Sequence, residues 1–268
     1  MTEKGPFKIV KKDHVAYLIL NKPEKRNAMA HDFFTLLVEI FDEFNLDPEV
    51  RVVVIKAEGK SFTAGIDLMQ LGSLMGDGGA DSRESLRKLI LAGQESMNSI
   101  ESCTKPVIAA VHSHCIGGGV DLLSACDIRI ASQDAVFSVR ETKIGVIADV
   151  GTLQRMPYIV GHGWFRELAL TGRDFNAEEA LQMGFITRIC KDQQALFEEA
   201  DRLAADIAGC PPLTVQGTKD VILFSRDNGI RSGLQYVAQK NAAALKSEDL
   251  IEALNAFMEK RTPVYRGK

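Results

Sequence analysis

Five short apolar runs, Val15 to Leu20, Val52 to Ala57, Val107 to Val111, Ile128 to Ala131 and Ile186 to Ile189, recur with helical stretches between them. Runs of this length read as strands. The intervening segments Asp32 to Phe44, Ser85 to Ile100, Val120 to Cys126 and Ala177 to Met183 read as helices, the last opening after Asn176 as an N-cap. That alternation constrains the chain to an α/β layered core.

After about Gln194 the strand signals vanish. Gln194 to Ala208, Gly229 to Leu245 and Glu248 to Lys260 read as amphipathic helices, punctuated by Pro211-Pro212 and the Asp227-Asn228-Gly229 turn. The expected organisation is a core over residues 1–193 and a helical region over 194–268, whose apolar positions such as Leu234, Val237 and Ala238 pack on the core or on another subunit. At 268 residues with 46% hydrophobic side chains, the chain is long enough to bury a core of that size. Met75 to Ser82, rich in glycine and acid, reads as a mobile surface loop.

Composition removes several function classes. A net charge of -4 leaves no general footprint for nucleic acid or an anionic membrane. No apolar run approaches a membrane-spanning length. Cys103, Cys115, Cys126, Cys190 and Cys210 are scattered and lack CxxC spacing, as expected of buried thiols in a reducing compartment. A cytoplasmic protein is expected, because the first residues carry no signal or transit pattern and Arg266-Gly267-Lys268 is not a peroxisomal address. No metal is expected either: His112 and His114 lie two apart on an extended segment, but nothing supplies a further ligand at metal spacing.

Two glycine-bearing segments follow separate strand candidates. Lys60-Ser61-Phe62-Thr63-Ala64-Gly65-Ile66-Asp67-Leu68 comes after Val52 to Ala57, where a turn aims backbone N–H groups into a cleft at the strand's end. Gly117-Gly118-Gly119 follows Val107 to Val111 and precedes a helical stretch, placing free amides where an oxyanion can sit. Either alone reads as a tight turn, with Asp67 a cap in the first. Two together supply the pair of convergent donors that an oxyanion hole requires.

Nucleotide hydrolysis and serine hydrolysis lack their motifs, since GxxxxGK[ST], a helix-opening GxGxxG with its distant acid, and GxSxG are all absent. Lys22, Lys25 and Arg26 form either a solvated turn or a seat for the phosphates of a bulky acyl carrier.

Three acids carry the chemistry. Asp121 stands directly behind the glycine run, with Glu141 and Asp149 at fixed offsets beyond it. Brought together in an apolar pocket, they would repel one another and lose solvation, raising at least one carboxyl pKa toward the range that acid-base work near neutral pH needs. Each also has a structural reading: Asp121 as the cap of its own helix, Glu141 paired with Arg140 or Lys143, Asp149 capping a helix that begins near Gly151.

With these residues in place, the chain resembles the enoyl-CoA hydratase/isomerase (crotonase) superfamily from about Lys8 to about Arg261, most closely its dienoyl-CoA isomerase branch. The resemblance is carried by Phe62 to Leu68, Lys105 to Val111, Cys115 to Asp127 and Ala148 to Arg155. It implies a spiral of ββα repeats with a C-terminal helical region that forms trimers, often paired into hexamers, and a pocket for a CoA thioester that is substrate rather than cofactor. The backbone amides of Ile66 and Gly118 look like the oxyanion hole. Ala64, Gly65, Ile66, Asp67 and Leu68 would line the CoA and substrate path, with Lys25, Arg26 and Ala28 near the CoA phosphates and adenine. Hydratases of the superfamily carry glutamate at the positions of both Asp121 and Glu141, whereas aspartate at the first and a third acid at Asp149 look like the isomerases that convert 3,5-dienoyl-CoA to 2,4-dienoyl-CoA. Asp121, Glu141 and Asp149 are therefore the expected catalytic residues. The competing readings are an enoyl-CoA hydratase and a non-catalytic or RNA-binding relative.

Overall fold

The computed structural model describes residues 1–69 and 79–268. Its main sheet joins β1 (Thr2–Lys4), β2 (Phe7–Lys12), β3 (Val15–Leu20), β4 (Val52–Ala57), β5 (Val107–Val111), β7 (Ile128–Ser132) and β10 (Ile189–Cys190) in that order. The first three strands run antiparallel, and β3 through β10 run parallel. A second sheet is ordered β6 (His114–Ile116), β8 (Val136–Ser138), β9 (Asp174–Asn176). Strand β5 leads into β6 and β7 into β8, so each pair gives one strand to each sheet before the chain moves on. This is the expected ββα spiral.

The parallel strands are buried on both faces, which explains why they are apolar without alternation. Val53, Ile55, Val107 and Ala109 point into the main core, and Val52, Val54, Ile108 and Ala110 into a second one. Helix α1 (His31–Leu46) fills the first with Phe33, Leu37, Ile40, Phe41 and Phe44, a three-and-four spacing that forms one helical stripe. Truncating a ring such as Phe41, which is fully buried, would cost about 3–5 kcal/mol in lost transfer energy and cavity formation.

The remaining helices are α2 (Ala80–Ser102), α3 (Gly118–Ala125), α4 (Thr152–Thr171), α5 (Ala177–Gln182), α6 (Gln193–Ala208), α7 (Pro212–Ala244) and α8 (Glu248–Glu259). The second core is closed by α6 through Leu196, Ala200, Ala204 and Ala208, whose small side chains let the helix sit close on the sheet. Lys219 of α7 reaches back to Asp127 at 2.7 Å and to the Lys105 carbonyl at 3.2 Å, fixing that helix to the ends of β5 and β7.

Three expectations need correction. Ile186 to Ile189 is not a strand: β10 is only Ile189–Cys190, and the apolar residues before it are buried in a turn where Phe185 packs on Phe137 and Phe175. Of the expected surface loop, residues 75–78 lie outside the described residues, and Ala80 to Ser82 form the first turn of α2. The helix expected from Gly229 is the second part of α7, whose first part, from Pro212, ends in a kink at Gly229. Asn176 does cap α5, in a capping box with Glu179. Among the described residues no helix is long and apolar enough to cross a membrane.

Candidate active site

Strands β4 and β5 are parallel neighbours, so the chain leaves both at the same edge of the sheet. Past that edge the two segments stay paired: Thr63 N–H donates to the His114 carbonyl at 3.0 Å, and Ile116 N–H to the Thr63 carbonyl at 3.3 Å. On the other side Met29 N–H donates to the Gly65 carbonyl at 2.8 Å, Asp67 N–H to the Met29 carbonyl at 3.0 Å, and Ala64 N–H to the Arg26 carbonyl at 2.9 Å. These bonds occupy the amides on either side of Ile66. Among the described residues neither the Ile66 N–H nor the Gly118 N–H, the first of α3, donates to a hydrogen bond. Gly65 is what allows the approach: its φ is +89°, and a Cβ there would stand 2.6 Å from the Ile116 carbonyl oxygen and 3.7 Å from the Gly118 nitrogen.

Arg26, Ala28, Ala64, Gly65, Ile66 and Gly118 are therefore brought to one place. Asp67 and Leu68 continue from it, Leu68 exposed and Asp67 accepting from the Met69 N–H at 3.0 Å, the turn-capping role that was its structural reading. Lys25 ends the exposed 3₁₀ turn Pro23–Lys25, just before Arg26. Sequence reasoning passed over Asn27, which holds these loops together. It is buried with φ +52°, donates to the Glu58 and Ser61 carbonyls at 2.9 and 3.0 Å, and accepts from Lys22 N–H through its side chain and from the Thr63 hydroxyl through its carbonyl. Asparagine's tolerance of left-handed backbone was the available signal.

The acids come from three further elements. Asp121 is on the buried first turn of α3. Glu141 opens a 3₁₀ turn after β8, and its Oε1 would lie 3.2 Å from a Cβ on Gly117, beside the glycine run. Asp149 lies in the irregular stretch leading into α4. Burial raises all three carboxyls. Glu141 is pushed up from 4.5 to about 7, by burial first and then by the charges of Asp121 and Asp149. Asp121 rises from 3.8 to about 6 through burial, opposed by hydrogen bonding from Thr152 and reinforced by Asp149. The Asp149 carboxyl, half-buried, is raised chiefly by burial. The predicted electrostatic coupling is present.

Their structural readings resolve differently. Asp121 does cap a helix, but not its own: its carboxylate accepts the Thr152 N–H of α4 at 2.7 Å, the position foreseen for Asp149. Arg140 pairs with Asp174, not with Glu141. The Glu141 Oε2 is buried with no hydrogen-bond partner among the described residues. An unpaired buried carboxyl oxygen beside two free amides is the pattern of a group kept for substrate.

A cleft of about 530 Å³ reaches Asp149, bordered by Gln94, Gly151, Gln154, Arg155 and Arg226. A larger one of about 1010 Å³ runs between the end of α2 and the two parts of α7, and touches none of the three acids. His112 is tied to the Gly59 carbonyl at 3.0 Å and packs edge-on against Phe197. Among the described residues no three His, Cys, Asp or Glu side chains cluster in a way that could hold a metal ion.

The sequence profile of a family described as enoyl-CoA hydratase/isomerase matches residues 10–268. The chain belongs to the enoyl-CoA hydratase/isomerase family. It is 46% identical over 253 residues to the mitochondrial Delta(3,5)-Delta(2,4)-dienoyl-CoA isomerase of Mus musculus, an alignment covering 92% of this chain and 77% of the relative. With the peroxisomal Delta(3,5)-Delta(2,4)-dienoyl-CoA isomerase of Arabidopsis thaliana it shares 44% over 254 residues, 93% of this chain and 91% of the relative. Among solved structures, an enoyl-CoA hydratase from Bacillus anthracis superposes with a TM-score of 0.92 at 31% identity, covering 98% of this chain and all of the other. In this member of the hydratase/isomerase family, Glu141 stands beside the glycine run that holds the free Gly118 amide, and the charges of Asp121 and Asp149 act on it.

Proposed function

We propose that this chain is a Delta(3,5)-Delta(2,4)-dienoyl-CoA isomerase, moving two conjugated double bonds of an acyl-CoA thioester one carbon toward the carbonyl. The observation that carries this reading is the third carboxyl: Asp149 acts on the charge of Glu141, so the site holds two raised acids besides the helix-capping Asp121. The identity to curated isomerases of that name, above that to the hydratase structure, points the same way.

In the proposed mechanism the thioester carbonyl accepts the Ile66 and Gly118 N–H groups. Asp149 as carboxylate removes a proton from carbon 2, and the electrons delocalise into a dienolate whose oxygen charge those amides stabilise. Glu141, whose raised pKa keeps much of it protonated near neutrality, donates a proton to carbon 6. The double bonds between carbons 3 and 4 and carbons 5 and 6 become bonds between 2 and 3 and between 4 and 5, with no net change of atoms. Lys25, Arg26, Ala28 and Ala64 to Leu68 form the CoA side of the site.

The proposal extends to assembly and place. Residues 1–193 carry the site and 194–268 carry the contacts between subunits of a trimer or paired trimers, supported by the exposed Ile230, Leu234, Leu254 and Phe257 of the C-terminal helices. Mass photometry of the purified chain tests it. Scattered thiols favour the cytoplasm, although the two named relatives are mitochondrial and peroxisomal; cell fractionation decides. For the activity, 3,5-octadienoyl-CoA is the probe, because a conjugated 2,4-dienoyl thioester absorbs distinctively as it forms. No absorbance change with purified protein, or appreciable 3-hydroxybutyryl-CoA from crotonyl-CoA, would sink the isomerase reading.

A further inference from the structure

The stretch that carries Asp149 is held by few hydrogen bonds, its anchors being the buried Ala148 and Val150. Among the described residues the peptide groups from Ile147 to Val150 form no backbone–backbone hydrogen bond. The chain is tied before them, where Val146 N–H donates to the Glu141 carbonyl at 3.0 Å, and after them, where Asp121 accepts from Thr152. Between those ties one hydrogen bond from elsewhere among the described residues reaches the stretch: the side-chain amide of Gln94, on α2, donates to the Asp149 carbonyl at 2.7 Å. One residue earlier, Gly93 is buried in the middle of α2, where an alanine would favour the helix by about 1 kcal/mol. Its backbone has no positive φ to explain the glycine. What it allows is contact: a Cβ at Gly93 would stand 3.0 Å from Cγ1 of Val150.

We propose that Gly93 and Gln94 form a clasp on α2 that positions Asp149, Gly93 by letting Val150 seat against the helix and Gln94 by fixing the Asp149 carbonyl. Gln94 is a positioning residue and needs no contact with substrate. This rests on the isomerase reading above, in which Asp149 works at carbon 2 and Glu141 at carbon 6. A displaced base with an undisplaced acid is its distinguishing consequence, since Glu141 is anchored separately on the turn after β8.

The test uses the full-length chain, with deuterium exchange as the readout beside turnover. Gln94→Met keeps the length of the side chain and removes the donor. Its kcat should fall about 10- to 100-fold, the scale of a roughly 1 Å misplacement, with KM within about twofold of the parent. Carbon 2 exchange from the 3,5-dienoyl thioester should fall by a similar factor. Carbon 6 exchange from the 2,4-dienoyl thioester, which Glu141 can drive through the same dienolate, should stay within about twofold. Gly93→Ala should give the same selective loss with a melting temperature within about 4 °C of the parent, because the helix gain of about 1 kcal/mol offsets much of the crowding against Val150. If both exchanges fall together in Gln94→Met, or neither does, or Gly93→Ala keeps full carbon 2 exchange, the clasp is wrong. An inactive parent protein instead overturns the isomerase reading, so the two failures are distinguishable.

Discussion

Glu141→Gln should stabilise the fold in alkali while removing activity, and the size of the gain follows from the burial of the carboxyl. A carboxyl raised from 4.5 to about 7 loses stability when it must ionise inside the protein. Its folded pKa lies above its unfolded one, so its contribution is fully present below the unfolded value and is lost as pH rises through the folded value. The interval from 4.5 to about 7, at 1.36 kcal/mol for each pKa unit, amounts to about 3 kcal/mol lost by pH 8.5. The amide of the variant does not ionise and escapes that loss. It carries its own penalty, since an amide donor facing the partnerless position of Oε2 is worth about 1–3 kcal/mol, but that term does not vary with pH. The assay is therefore a difference of differences: denaturant unfolding of both proteins near pH 4.5 and near pH 8.5. The variant should gain about 3 kcal/mol on the parent between the two, roughly 6 °C in melting temperature for a chain of this length. Parallel pH curves would refute the reasoning, because they would mean that Glu141 ionises as easily in the fold as in the unfolded chain.

Four further outcomes are expected. Asp149→Asn keeps its shape but loses its base, and turnover of a 3,5-dienoyl-CoA should drop by at least about 10²-fold with the melting curve little changed. For the parent, kcat/KM should decline as pH rises through about 7, where Glu141 loses its proton. Asp121→Asn keeps an acceptor for the Thr152 N–H but removes a charge that raises Glu141, so that alkaline limb should move to lower pH; an unmoved limb would show that Asp121 carries no charge in the site. Asn176→Ala should lower stability by about 1 kcal/mol in urea unfolding through loss of the α5 cap, leaving turnover intact.

Much of this was legible from residues alone where burial and periodicity agree. Val15–Leu20, Val52–Ala57 and Val107–Val111 coincide with their apolar runs because both faces of those strands are covered. Only the start of helix α4, near Gly151, was legible, because Pro157 and Gly161 interrupt the pattern of its body, and the structure absorbs Gly161 as a kink. Strands β6, β8 and β9 are three residues each, too short for a period to declare itself. At Phe185 and Ile186 apolarity marked burial rather than a strand. The site was legible as composition: glycines after two strands, then three acids. Its spatial logic was not, because pairings such as Thr63 with Cys115, or Gln94 with Asp149, join residues too far apart in sequence for any local pattern to register.

The position of Asp121 bears most directly on which reaction such a site can run. In hydratases of the resembled kind, two glutamates hold water between them. Here the first acid is shorter by one methylene and already engaged, accepting the first N–H of α4 at 2.7 Å from a fully buried position. A carboxylate committed to a helix N-terminus is favoured in its charged form by the helix dipole and by the bond itself, and to bind water it would have to leave the Thr152 N–H unpaired. That bond also sets the start of α4, and so the end of the stretch on which Asp149 rides. On the proposed reading, the residue that holds water in a hydratase has become a strut for a new base, and the proton chemistry has moved to the Glu141 and Asp149 pair. Such a division of labour explains why three raised acids can share a site without all three titrating in the reaction: one ionises to hold the scaffold, and two exchange protons with carbon.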